Sequence, residues 1–380
     1  MSSLSRTYNG FLDPEAKILV GESELNLNSG KKSMQVSNIH VEKSVGLEAS
    51  TCMVKIKTQK IASGSYIPDF LGDLKAGAKI EISLGYSGTL KEVFVGYISS
   101  IDLEMNSLDD VTITVRGMDG KMLMMPNLKN ELIEGAKTYS GAVDSILKKS
   151  YTGKFSDHKI KISGEPKLSV PIYQSSESDY AFVCRMASLA GALFFIENGK
   201  FYFVDMYPGK SGNKTFEKNN ISKINLSVNL WGIPKKVETV SQDRKHYKQT
   251  ITGASSKSYD LGSGKSASSL SKNIDGKITL IDGSVASAKE AEFASQVEQD
   301  RRNFNMVTTK IECIHGAPDY ELGSVWKIDK VGKPVDGERM INCVVHDMTR
   351  DKYRTTVYLN STRYDPQGGV LGGLGGMFGF

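Results

Sequence analysis

Residues 74–82, LKAGAKIEI, and residues 320–328, YELGSVWKI, carry one pattern near opposite ends of the chain. Gly77 matches Gly323, Ile80 matches Trp326 and Ile82 matches Ile328. Seventeen residues beyond each glycine stand Phe94 and Met340, opening the strand-like runs FVGYISSID and MINCVVHDM. Each block then enters a last strand, DDVTITVRG (109–117) or DKYRTTVYL (351–359). On this alignment the second hairpin loop is shorter by about four residues. A glycine and three strands at matched spacing predict two related β-barrels within one chain, a statement about fold and not about chemistry.

Outward from these blocks the strand signal continues. Residues 34–41, 51–57, 93–105 and 111–119 alternate apolar and polar in strand fashion, with 106–110 as a hairpin loop. The middle of the chain changes character. Residues 138–151 place Ala142, Val143, Ile146 and Leu147 on one helical face, with Thr138 or Ser140 as cap. Residues 175–205, SSESDYAFVCRMASLAGALFFIENGKFYFVD, read as a helix followed at once by an apolar hairpin. Ser176 is placed to cap that helix, and Asp179 lies at the capping-box spacing. Gly191 is placed to stop it, and Asn198-Gly199 joins strands 192–196 and 201–204. Residues 284–304 predict a further helix leading into a strand at 306–316. Residues 253–277 are rich in Ser, Gly and Lys and predict a long mobile loop.

The fold class expected is mainly β with an α/β insert: two related barrels flanking a smaller α/β module. The expected divisions are 1–119 for the first barrel, 120–210 for the insert with its helix–hairpin, 211–365 for the second barrel with its preceding helix, and 366–380 for a glycine-rich apolar tail.

Composition bounds the function. The chain has 380 residues, 39% of them hydrophobic, and a mean hydropathy of −0.28. Such a content supports packed cores. No apolar run approaches the roughly 20 residues that span a bilayer, and the N-terminus lacks a signal-peptide core. The expectation is cytoplasmic synthesis without a membrane partner. Lysine and arginine total 48 against 43 acidic residues, dispersed rather than gathered into a basic stripe, which speaks against a dedicated nucleic-acid binder.

The search for reactive groups finds little. Cys52, Cys184, Cys313 and Cys343 are far apart and read as small buried hydrophobes, with Cys184 and Cys343 on buried faces. His40, His158, His246, His315 and His346 share no metal-ligand spacing, so neither a metal nor a cofactor is expected. His346-Asp347 is a polar neighbour pair, but adjacent strand residues face opposite ways. Gly-Lys-Ser at 209–211 and 264–266 lacks the upstream glycine of a phosphate loop, and GGLGG in the tail has no strand before it. Glu134, Glu165, Asp179 and Asp205 are carboxylates with no pairing legible in sequence. No catalytic residue is assigned and no enzyme is expected.

The order of motifs resembles the phage late control protein D family of contractile-tail baseplate hubs, related to the N-terminal hub part of VgrG spike proteins. The residues that carry this are Ser178, Asp179, Tyr180, Phe182, Cys184, Arg185, Gly191, Phe194, Phe195 and Asp205, then Gly323, Trp326, Ile328, Tyr353, Arg354 and Thr355. The likeness runs over most of residues 10–365. It implies a structural homotrimer whose six barrels form a ring, joining a sixfold tail tube to a threefold spike. Implied partners are the tube protein, a separate spike chain and other baseplate proteins, with DNA or protein cargo passing the channel. The implied location is a phage virion, tailocin or secretion particle assembled after synthesis in the bacterial cytoplasm. Leu371, Leu374, Met377, Phe378 and Phe380 make the tail a candidate for spike docking. Two alternatives stay open: a delivered peptidoglycan hydrolase, needing paired carboxylates or a metal cluster in a cleft, and a carbohydrate-binding module, needing exposed aromatic platforms.

Overall fold

A computed structural model of the chain describes residues 4–25, 34–59, 74–107, 110–207, 214–243, 250–256, 259–270 and 276–366. The tail residues Leu371, Leu374, Met377, Phe378 and Phe380 lie outside the described residues. In chain order the elements are α1 (Leu4–Thr7), β1 (Pro14–Val20), β2 (Ser23–Glu24), β3 (Met34–Ser44), β4 (Thr51–Gln59), β5 (Lys79–Tyr86), β6 (Thr89–Ser107), β7 (Asp110–Asp119) and β8 (Lys129–Leu132). Then come α2 (Tyr139–Ser150), β9 (Asp157–Lys161), β10 (Tyr173–Glu177), α3 (Asp179–Ala190), β11 (Ala192–Glu197), β12 (Lys200–Asp205), β13 (Lys214–Thr215), β14 (Ile221–Val228), β15 (Lys236–Gln242), β16 (Thr250–Ser255) and β17 (Lys265–Ser266). The last are α4 (Ala267–Leu270), β18 (Lys277–Ile281), α5 (Ala288–Phe304), β19 (Val307–Cys313), β20 (Val325–Ile328), β21 (Gly337–Thr349), β22 (Lys352–Ser361) and β23 (Arg363–Tyr364).

The protein is mainly β, with an α/β insert, as its patterning predicts. One 13-stranded sheet runs β14-β19-β22-β21-β3-β4-β7-β6-β5-β1-β2, with β20 on β21 and β13 on β20. Strands of both predicted barrels therefore share one continuous sheet, and no pairing among the described residues closes either of them. Alternation sets the faces. In β4 the side chains of Cys52, Val54 and Ile56 are buried while Lys55 and Lys57 point out. In β19 Val307, Thr309, Ile311 and Cys313 turn inward in the same way.

The repeat is visible in this topology. The first set is ordered β3-β4-β7-β6-β5 and the second β14-β19-β22-β21-β20, all antiparallel; the strand added to each differs, β1 lying antiparallel on β5 and the short β13 parallel on β20. Two of their bulges coincide too. β3 bulges at Ser37 and β14 at Ser222, and each serine Oγ donates to a carbonyl of the next strand, Lys55 and Glu312. β6 bulges at Ser99 and β21 at Asn342. Gly77 and Gly323 have φ of 83° and 71°, a region that favours glycine. Their N–H groups donate to the carbonyls of Ile98 and Ile341, at 2.7 and 2.9 Å.

The paired strands correct the alignment beyond those glycines. Ile80 faces Gly96, sixteen residues on, whereas Trp326 faces Arg339, thirteen residues on. Met340 therefore matches Tyr97, not Phe94. The length difference sits mainly between β20 and β21, and the second hairpin loop is shorter by one residue rather than four.

Between the two sets lies the helix–hairpin. α3 is capped by Ser178, whose Oγ accepts from the Ala181 N–H, and not by Ser176. Ser176 instead belongs to β10 with φ of 50° and donates to Asn130. Asp179 is thus the first helical residue. Gly191 ends α3 at φ 61°, as read. Thr138, not Ser140, caps α2. Phe182, Val183, Met186, Phe194 and Phe201 form a second core with α2.

The stretch 253–277 is not one long loop. Its start completes β16, which pairs with β15, and its middle supplies β17 and α4, with Leu261 and Ala267 buried. β16-β15-β18 forms a small sheet under α5, which Ser287 caps. Gly253 permits that contact, since a Cβ there would sit 2.2 Å from the Glu292 backbone nitrogen. Cys52 and Cys313 are buried; Cys184 and Cys343 are only half-buried, contrary to their reading as core positions.

Candidate functional site

The feature that both halves of the molecule converge on is the seam where β21 lies antiparallel to β3, from Cys343↔Ser44 to Met348↔Ile39. On its inner face Val41, Ile39, Val344, His346 and Met348 are all buried. His346 Nδ1 lies 2.9 Å from the Tyr353 hydroxyl and 3.1 Å from Thr355 Oγ1. Burial, reinforced by the charge of Lys43, holds this imidazole well below its ordinary pKa, so it is neutral. On the outer face His40 Nδ1 meets Asp347 Oδ1 at 2.7 Å across the seam, and that hydrogen bond raises the His40 pKa against a smaller opposing effect of burial. His346 and Asp347 face opposite sides, as strand geometry requires.

The seam is tied to the insert by buried polar groups. Lys43 Nζ donates to Glu197 Oε1 at 2.9 Å, and the same oxygen accepts from the Leu322 N–H at 3.1 Å. Glu197 on β11 therefore holds β3 of one set and the approach to β20 of the other. Lys121 Nζ donates to the carbonyls of Gly46, Leu47 and Glu48 and lies 4.6 Å over the Phe194 ring. Tyr180 donates to the Leu47 carbonyl at 2.7 Å, and its own pKa is pushed up to about 12, first by burial. These groups lock the chain leaving β3 onto the insert.

The residues singled out in sequence do not form one site. Asp179 accepts from Lys129 Nζ at 2.7 Å, Tyr151 OH at 2.8 Å and Gln174 Nε2 at 3.0 Å. Burial pushes its pKa up, but these donors outweigh it and hold the carboxyl below the usual range. Arg185 reaches Glu177 and the Tyr173 carbonyl, with its guanidinium 5.1 Å over Phe182. Asp205 accepts from the Ser163 N–H and hydroxyl. Phe194 and Phe195 are buried in the hairpin. Trp326 packs on Phe216 and Tyr320 in the core that also holds Ile328, and Gly323 lies beside the Phe195 ring. Only Tyr353 and Thr355 reach the seam, through His346; Arg354 lies opposite Asp347 on the exposed face. Sequence reasoning missed Lys43, Lys121 and Glu197. Their one signal was charge at an inward strand position (Lys43), in an apolar hairpin (Glu197) or in the methionine-rich turn after β7 (Lys121), which the sequence shows but does not explain.

A cleft of about 730 Å³ lies between the hairpin and α5. Tyr207 and Tyr259 stack there at 4.3 Å, and Asp300 accepts from Gln296 and the Tyr259 N–H, its pKa raised mainly by burial. Among the described residues no three His, Cys, Asp or Glu side chains converge as metal ligands. No described helix is long and apolar enough to cross a membrane.

Three comparisons bear on this architecture. The chain belongs to the family described as the Alg8 N-terminal domain, whose model matches residues 16–350. No curated protein matches its sequence. Among solved structures it is similar to the 43 kDa tail protein of prophage MuSo2 from Shewanella oneidensis, with a TM-score of 0.65 and 13% identity over 91% of this chain and 98% of that one. It is similar to the tail protein from Neisseria meningitidis MC58, with a TM-score of 0.63 and 13% identity over 92% and 97% of the two chains. It is also similar to the E. coli c3393 protein, a component of the type VI secretion system with structural similarity to the T4 tail proteins gp27 and gp5; there the TM-score is 0.56 with 12% identity over 91% and 76%. The chain thus has the fold of phage tail proteins and of a secretion-system component.

Proposed function

We propose that the protein is the structural hub of a contractile tail or injection particle, of the late control protein D kind. Three chains form a ring with pseudo-sixfold symmetry that joins a sixfold tail tube to a threefold spike. It performs no reaction. The observation that carries this reading is the duplicated five-stranded antiparallel set, alike in strand order and in two bulge positions and joined side by side within one chain at β3·β21. A threefold assembly of a twofold-repeated unit offers six near-equivalent faces to a sixfold tube and three equivalent ones to a spike. The tail-protein fold supports the same reading. The partners are the tube protein, the spike and neighbouring baseplate proteins, and the axial channel passes DNA or protein cargo. The chain is made in the cytoplasm and enters the particle on assembly.

Sedimentation and negative-stain images of the purified chain, alone and with a candidate spike protein, test this. The expected result is a three-chain ring with six lobes around a central hole. A folded monomer in both preparations overturns it.

A further inference from the structure

The seam at β3·β21 has a counterpart that a single chain leaves unmade. Matched bulges fix the equivalences: Ser99 of β6 with Asn342 of β21, and Ser37 of β3 with Ser222 of β14. Hence Ile101, Leu103 and Met105 occupy the places of Val344, His346 and Met348. Likewise Ile224, Leu226 and Val228 occupy those of Ile39, Val41 and Lys43. In the seam His346 and Met348 are 0% and 4% exposed, whereas Leu103 and Met105 are 43% and 45% exposed. Among the described residues, the edge of β6 that faced β5 carries no strand beyond Tyr97, and neither does the edge of β14 away from β19. Two apolar strand edges are thus without a strand partner among the described residues, where their repeat equivalents are buried against each other.

We infer that β6 of one protomer pairs antiparallel with β14 of a second copy of this chain, repeating the internal seam. This deepens the proposed hub and rests on it. Carrying the seam register across the two equivalences sets Ile101 opposite Val228, Leu103 opposite Leu226 and Met105 opposite Ile224. It also sets Glu104 opposite Asn225, where the seam has Asp347 opposite His40. The occupant is specified by the edge itself: unpaired amides and carbonyls accept any strand, but the alternating side chains accept one register. Each protomer contributes the eight strands β14-β19-β22-β21-β3-β4-β7-β6, so three copies close a 24-stranded ring with no strand edge left open in it.

The test is disulfide trapping in the full chain. Under mild oxidation, Leu103→Cys with Leu226→Cys is expected to give covalent dimers and trimers that vanish on reduction, while each single variant does not. Leu103→Cys with Asn225→Cys, one residue out of register, is expected to give none. A trimer by sedimentation that Leu103→Cys/Leu226→Cys fails to trap overturns the edge pairing and leaves the hub standing. A folded chain that stays monomeric at its highest soluble concentration, with and without spike, overturns both. Independently, Leu103→Lys/Met105→Lys, which alters only exposed side chains, is expected to give a folded monomer; persistence of the trimer in that variant overturns the pairing.

Discussion

At the scale of single residues, the seam is held by groups whose charge states are set by burial. His346 is neutral in the folded chain because its pKa is held well below 6.5, mainly by burial. The unfolded chain takes up a proton as pH falls through about 6.5, and the folded chain does not. Stability is therefore full above about pH 6.5 and declines on acidification by up to about 1.4 kcal/mol per pH unit until the folded pKa is reached. His40 acts in the opposite sense: its raised pKa adds stability below about 6.5 that is lost as pH rises. That contribution is small because the pair is partly exposed. His346→Leu, which installs the residue found at the equivalent Leu103, should flatten the loss between pH 6.5 and 5 in urea titrations. An unchanged slope would mean that His346 is not the group responsible. Glu197→Ala leaves Lys43 buried without its partner and is expected to cost about 3–5 kcal/mol, read as a fall in urea midpoint. Lys43→Met combined with Glu197→Leu should recover most of it; a double variant as weak as Glu197→Ala would show that the bridge is not the cause.

At the scale of elements, the repeat makes a paired prediction. Gly77 and Gly323 precede equivalent strands at positive φ, and an added Cβ at either meets nothing closer than 3.5 Å. Alanine at each therefore costs backbone strain alone, about 1–2 kcal/mol. Gly77→Ala and Gly323→Ala should lose stability by similar amounts in chemical denaturation; a several-fold disparity would argue against equivalence. The glycines, the alternation of β4 and β19 and the face of α2 were legible in sequence because each is set by local steric or hydrophobic rules. The alignment slipped at Phe94 and Met340 because strand alternation has period two and cannot fix register by itself, whereas bulges and ladder bonds can. The cap of α3 was misplaced because Ser176 and Ser178 offer the same chemistry; only the left-handed backbone of Ser176 tells them apart. The sheet β16-β15-β18 escaped notice because Ser and Gly tolerate a strand beneath a helix without announcing it, as Gly253 does beneath α5. The buried Lys43–Glu197 bridge had no legible partner at all, since its residues are brought together only by the tertiary fold.

At the scale of the whole molecule, the question is what a strand edge does when its equivalent is already paired inside the chain. A 24-stranded closed sheet with strands about 4.8 Å apart and tilted by about 40° measures about 50 Å across its backbone. Side chains from the face bearing Lys55, Arg116, Glu42, Asp347, Lys310 and Arg354 would narrow it to a polar, mixed-charge channel. The opposite face is the apolar core, so each protomer's sheet has one orientation that avoids exposing it. Hydrogen exchange separates the seam within a chain from the seam between chains. In the Leu103→Lys/Met105→Lys monomer, amides at 39–44 and 343–348 should stay protected, because that ladder is internal. Amides at 100–105 and 223–228 that face the open edges should exchange fast there and become protected only in the wild-type ring. Protection of both regions in the monomer would mean that these edges are satisfied without a partner. Exchange at both would mean that the internal seam also needs the assembly, and that the protomer is not a preformed piece of the ring.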